Sequence, residues 1–144
     1  MVNSSLVFVL VQFVAIGAIL LSGPWLAQPW ALLALQLAGL ALAAWAIFSM
    51  GIGNFGASPL PLARGRMVQH GPYAIIRHPM YTSLLLFTLP LVLSAPSPLR
   101  IFFWLALLVD LVLKLQYEEG LLCNKFAEYP AYMQRTKRLL PFIY

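Results

Sequence analysis

Charge is what this sequence has least of. Of its 144 residues only 9% are Asp, Glu, Lys or Arg, and just 4 of those are acidic. A water-soluble domain carries about a quarter charged residues. Together with 62% hydrophobic residues and a mean hydropathy of +0.86, the shortage points to a single integral membrane domain. Cysteine is nearly absent too. The lone Cys123 excludes an internal disulfide and a cysteine metal cluster, and it lies too far from the C-terminus to form a prenylation box. The two histidines, His70 and His78, are not spaced as a ligand pair, so no metal is expected. The excess of base over acid, +5, raises nucleic acid as a partner. The basic residues sit beside apolar runs, however, and the lipid bilayer is the expected partner instead. An uncharged N-terminal stretch without a small-residue cleavage motif argues against a removable signal peptide.

What the chain does have is long apolar runs. At about 1.5 Å per residue, about twenty residues cross a hydrocarbon core. Four spans follow, at about residues 4–22, 30–50, 79–94 and 99–117, in an all-α bundle with a cytoplasmic C-terminal helical segment. Trp25 and Trp30 are placed as interfacial anchors. The third span is short and carries Pro90, where a kink is expected. Arg64, Arg66, Arg77, His70 and His78 lie between the second and third spans with no acid among them, and Lys125, Arg135, Lys137 and Arg138 follow the fourth. The opposite connectors carry only Arg100. By the positive-inside rule both termini and the 51–79 segment face the cytoplasm, and the inner (plasma) membrane is the expected location.

Polar chemistry is concentrated in two places. From Gly71-Pro72-Tyr73 to Arg77-His78-Pro79-Met80-Tyr81, a turn delivers two potential cations and a phenol to a helix start, with Pro79 suited to its first turn. An anionic or strongly polar ligand suits that position. On the fourth helix Asp110, Lys114 and Glu118 recur every four residues and share a stripe, with Glu119 beside them. Asp110 lies at hydrocarbon depth, where it should face the interior and pair, most simply with Lys114. The bland reading of that pair is a lock between helices; that of Glu118 and Glu119 is a solvated helix end; that of Tyr129 and Tyr132 is interfacial anchoring.

These residues carry a resemblance. Gly71-Pro72-Tyr73, the Arg77-His78-Pro79-x-Tyr81 box, Glu118-Glu119 with Leu122 and Phe126, then Tyr129, Tyr132 and Pro141, are similar to the isoprenylcysteine carboxyl methyltransferase and phospholipid methyltransferase superfamily. Asn54-Phe55 resembles a pair upstream of the motif there, and the likeness runs over roughly residues 50–144. It implies a membrane methyltransferase that binds S-adenosyl-L-methionine with segments 70–82 and 114–141 and methylates a lipophilic or membrane-associated acceptor.

The side chains suit that chemistry. Arg77 or His78 would take the cofactor carboxylate, Glu118 and Glu119 its ammonium, and Tyr73, Tyr81 and Tyr132 its ring or sulfonium, with Gly71 and Pro72 shaping the turn. Arg135 or Lys114 would hold a carboxylate acceptor; an amine or thiol would need a base such as Glu119. Thr82 and Ser83 are small enough to admit a lipid-like acceptor sideways between the third and fourth spans. Two other readings stand beside this one: an NADPH-dependent membrane reductase of the sterol-reductase type, and a non-enzymatic membrane adaptor.

Overall fold

The computed structural model describes residues 2–51 and 65–144. Among these the secondary structure is helical, without a named strand: α1 (Val2–Leu21), α2 (Trp30–Met50), α3 (Pro79–Ser94), α4 (Pro98–Lys125) and α5 (Tyr129–Arg135), with a 3₁₀ turn at Gly71–Ala74. The upstream pair Asn54-Phe55 and Arg64 lie outside the described residues.

The boundaries follow local chemistry. Pro79 and Pro98 stand in the first turns of α3 and α4, where a missing N–H leaves no bond unmade. Ser97 caps α4, its hydroxyl accepting from the Arg100 N–H at 3.3 Å. α3 runs through Pro90 to Ser94 as one helix. α4 passes the expected end of the span at Tyr117 and continues to Lys125, which carries Glu118 and Glu119 beyond the apolar part.

α1 packs mainly on α4, and α2 mainly on α3. Gly39 lets α2 and α3 approach closely: a Cβ there would sit 2.7 Å from the Phe87 backbone nitrogen and 3.0 Å from the Ser83 carbonyl oxygen. The core has two parts. Ile19, Ala27, Leu91 and Val92 fill the end where α1 and α3 finish and α4 begins. Ala15, Leu107 and Leu111 fill the middle, with Tyr81 and Leu84 against them.

The polarity of the bundle is the inverse of a water-soluble domain. Gln12, Gln36, Thr88, Arg100, Asp110 and Lys114 are buried, while Leu10, Phe13, Leu40, Phe48, Phe102 and Leu113 face outward. The interior polar groups are largely satisfied. Gln36 accepts from the Ala27 N–H and donates to the Trp25 carbonyl, both at 2.9 Å, and so ties the α1–α2 connector down. Arg100, in the first turn of α4, is buried rather than displayed. It donates to the Ala95 carbonyl at 2.9 Å and the Ile19 carbonyl at 3.2 Å, at the ends of α3 and α1 where carbonyls lack helical partners.

Of the described helices, α2 is by itself long and apolar enough to cross a bilayer; Ser5–Leu21 and Pro79–Ser94 are apolar but shorter. α4 is long enough but carries Arg100, Asp110 and Lys114 in its apolar part.

Candidate functional site

The site forms at the end of the bundle where α3 begins and α4 runs on. Gly71 starts it with a left-handed backbone (φ 61°), pressed so close to α2 that a Cβ would stand 2.2 Å from the Ser49 hydroxyl. Only glycine suits both conditions. Pro72 follows in the 3₁₀ turn, its carbonyl accepting from the Ile75 and Ile76 N–H groups at 3.1 and 3.0 Å. Tyr73 is buried, and its carbonyl accepts from the Tyr132 hydroxyl at 2.6 Å. The Tyr132 phenol therefore holds the 3₁₀ turn from α5.

The backbone of residues 75–78 is clamped by the C-terminal tail. The Arg77 N–H donates to the Lys137 carbonyl at 2.7 Å, the His78 N–H to Arg138 at 3.0 Å, and the Lys137 N–H returns to Ile75 at 3.2 Å. The Thr82 hydroxyl donates to the Leu139 carbonyl at 2.7 Å. These bonds fix the direction of two adjacent side chains, Arg77 and His78.

Glu119, 4% exposed, is where they converge. Arg77 Nε donates to Oε1 at 2.7 Å and Arg138 Nε to Oε2 at 3.0 Å; His78 Nε2 stands 3.3 Å from Oε1. Burial alone would raise the Glu119 carboxyl pKa. The hydrogen bonds and charges of His78 and Arg77 outweigh that and hold it at about 2. Arg77 is held further by its Nη1, which donates to the carbonyls of Met133, at 3.1 Å, and Thr136.

Glu118 differs from its neighbour. Its Oε2 accepts from the Tyr81 hydroxyl at 2.6 Å and lies 3.8 Å from His78 Nδ1, and its side chain keeps 27% of its exposure. The Tyr81 ring stacks parallel on the His78 imidazole at 5.3 Å, with the Lys114 ammonium also 5.3 Å from its centre. The phenols of Tyr73 and Tyr129 are pushed up by burial, and that of Tyr132 to about 12 for the same reason, against the pull of Arg77. Those three stay protonated, and the Tyr73 and Tyr132 hydroxyls donate, to Met50 Sδ at 3.9 Å and to the Tyr73 carbonyl.

Gly71, Pro72, Tyr73, Arg77, His78, Tyr81, Glu118, Glu119 and Tyr132 thus gather at one end of the bundle. Two of the expected acceptor residues lie outside the cluster around Glu119, Lys114 meeting it through the Tyr81 ring. Arg135 is exposed and donates to the Gln69 side chain at 3.0 Å. Lys114 is buried one turn below Glu118 and donates to Gln12 of α1 at 2.6 Å. Among the described residues no ion pair in contact range joins Lys114 to Asp110; the ammonium donates to Gln12 of α1, and its charge still acts on Asp110 one turn away. Thr82 and Ser83 do not line an opening between α3 and α4. Both are buried; Ser83 donates back to the Met80 carbonyl at 2.7 Å, and its backbone lies against α2. The sequence reading assigned no site role to Arg138 or Thr136. Their signal was a polar-basic tail whose docking only the fold reveals. Among the described residues no group of His, Cys, Asp or Glu is arranged to hold a metal ion.

The chain matches the phospholipid methyltransferase family over residues 27–129. It belongs to that family. The match takes in α2, α3, α4 and both halves of the Arg77–Glu119 pair, and it ends at Tyr129. The phospholipid methyltransferase match therefore begins well before residue 50, upstream of the motif likeness, and leaves out α1 and the tail that supplies Arg138. A search of curated proteins returns no match.

Proposed function

We propose that this protein is a methyltransferase that carries a methyl group from S-adenosyl-L-methionine to a lipophilic, membrane-associated acceptor. In this reading α1–α4 cross the membrane, their apolar outer faces in lipid, and both termini and the site face the cytoplasm. The observation that carries it is the pair Glu118 and Glu119, packed against Arg77, His78 and Tyr81 at the polar end of an otherwise apolar bundle.

The donor set fits the cofactor. Glu118 keeps an accessible carboxylate for an ammonium, Arg138 keeps 29% of its side-chain exposure for a carboxylate, and Tyr73, Tyr81 and Tyr132 supply aromatic surface around the turn at Gly71 and Pro72. When bound, the cofactor supplies an electrophilic methyl on a sulfonium. Methyl displacement needs alignment and water exclusion, and the tail-clamped turn gives rigidity for both. Arg77 and His78 serve by fixing Glu119. A carboxylate held near pKa 2 is a weak base, so Glu119 acts as an anchor and not as a proton acceptor.

The test is binding in detergent, read as a thermal shift. S-adenosylhomocysteine should stabilise the protein and NADPH should not. A shift with NADPH alone would make the protein a reductase, and no shift with either would leave a non-enzymatic adaptor.

A further inference from the structure

We infer that Asp110 anchors the polar head of the acceptor inside the bundle, and that this head is a hydrogen-bond donor and not a carboxylate. The inference rests on the methyltransferase reading above.

Asp110 is 6% exposed, and its Oδ2 meets no hydrogen-bond partner among the described residues. Three other buried atoms share that condition, on Arg100, Trp104 and Tyr117, and Asp110 is the one carboxylate. A buried carboxylate oxygen without a donor is costly, and costlier at hydrocarbon depth. An ion pair to Lys114, one turn away on the same helix, would supply that donor. Lys114 turns to Gln12 on α1 instead.

The position of Asp110 suits an acceptor. Asp110, Lys114 and Glu118 share one stripe of α4, and eight residues separate its ends by about 12 Å along the axis. Tyr81 bridges the interval from α3. Its hydroxyl donates to Glu118 and its ring lies beneath Lys114. Polar groups thus descend from the cytoplasmic end, where a charged cosubstrate enters, to the level where a lipid-like molecule resides. A reacting pair would meet between them, near Tyr81.

Charge accounting selects the chemical class. Arg77 is engaged with Glu119, Lys114 with Gln12 and Arg135 with Gln69 at the surface, while Arg138, partly exposed for the cofactor, sits on Glu119 at the other end of the stripe from Asp110. A carboxylate head placed on this stripe would meet Asp110 as a like charge, with the nearest cation already bonded. An amine, thiol or hydroxyl would supply the hydrogen bond that Oδ2 lacks.

Three probes of equal chain length test this, by thermal shift in dodecylmaltoside: dodecylamine, 1-dodecanethiol and dodecanoate. The amine or the thiol should stabilise the parent protein and dodecanoate should not. Asp110→Asn should abolish the probe shift while S-adenosylhomocysteine affinity stays within threefold of the parent. Stabilisation by dodecanoate alone, by none of the probes, or equally in Asp110→Asn overturns the inference. A parent that responds to the probes but not to S-adenosylhomocysteine would overturn the methyltransferase reading and leave the Asp110 site standing. Should Asp110→Asn fail to fold, the parent protein decides. Dicyclohexylcarbodiimide, an apolar carboxyl reagent, should label Asp110 by peptide mass, with protection by 1-dodecanethiol and none by dodecanoate. Absence of label, or label indifferent to the thiol, counts against the inference.

Discussion

Arg77 Nε donates to Glu119 Oε1 at 2.7 Å and so ties the turn that leads into α3 to α4 across 42 positions of sequence. The bond is nearly dry at both ends, with side-chain exposures of 7% and 5%. It sets the distance between the start of α3 and the polar end of α4. Arg138 closes the second oxygen of the same carboxylate from the tail. Three segments therefore depend on one side chain.

Neutralising that side chain should be expensive. Glu119→Gln keeps the shape but leaves two guanidinium groups facing an amide, one of them buried. Breaking a buried ion pair from one side costs on the order of 3 kcal/mol or more. In a chain of this size that is a fall of roughly 10 °C in the unfolding midpoint. Thermal unfolding in detergent measures it. A midpoint unchanged within about 2 °C would mean that the contacts to Glu119 contribute little.

The same carboxylate predicts an acid limb. Its folded pKa, about 2, lies below the ordinary 4.5, so the folded state binds its proton less readily than the unfolded chain. The contribution is complete above the ordinary value and is lost as pH falls through the window from 4.5 to about 2. At 1.36 kcal/mol per pKa unit the loss amounts to about 3 kcal/mol. The midpoint should be flat from about pH 7 down to the ordinary carboxylate range and then drop. In Glu119→Gln that drop should shrink. An equal drop in both proteins would assign the acid limb to other groups.

Much of the bundle was legible because apolar runs and proline positions are local signals. Pro79 opens α3 where the sequence placed it, α4 begins at Pro98, just before its expected start at 99, and α2 occupies the expected 30–50. The convergence of the Arg77-His78 box on Glu118-Glu119 was legible from charge complementarity. What stayed hidden depended on direction and not on composition. That Glu119, more than any ligand, would consume Arg77 and His78 follows from where the tail clamps residues 75–78. That Lys114 would choose Gln12 over Asp110 follows from how α1 sits on α4. Neither spacing nor period encodes those choices. Ser83 misled for the same reason: a small residue at a plausible depth lies against α2 and away from the seam with α4.

The α2–α3 contact should be intolerant of side chains. A Cβ at Gly39 falls 2.7 Å from the Phe87 backbone nitrogen, and a main chain inside a helix yields little. Gly39→Val should lower the unfolding midpoint by an amount typical of core overpacking, about 1–3 kcal/mol. Gly17, whose added Cβ would meet nothing within 4 Å, serves as the control, and Gly17→Ala should be near neutral or stabilising. Equal behaviour of the two variants would show that the close approach at Gly39 carries no energetic weight.

The orientation of the site decides what reaches it. Arg77, Lys137, Arg138 and Arg135 cluster at the end where α4 emerges from its apolar part, while at the opposite end Arg100 is buried between helix carbonyls. A buried, bonded arginine offers little to the field that orients a chain, so the bias toward the other end is stronger than the residue count alone implies. A reporter fused after Tyr144 should therefore read as cytoplasmic, and a second one inserted between Ala95 and Pro98 as external. Moving charge should test the cause. Arg135→Glu and Lys137→Glu together reverse two exposed side chains outside the Glu119 cluster, so they should raise the fraction of misoriented chains without changing S-adenosylhomocysteine affinity in the correctly inserted ones. An external reading after Tyr144 in the parent protein would place Glu118 on the side away from the cytosol, and a cytosolic cosubstrate would then have no route to the residues proposed to hold it.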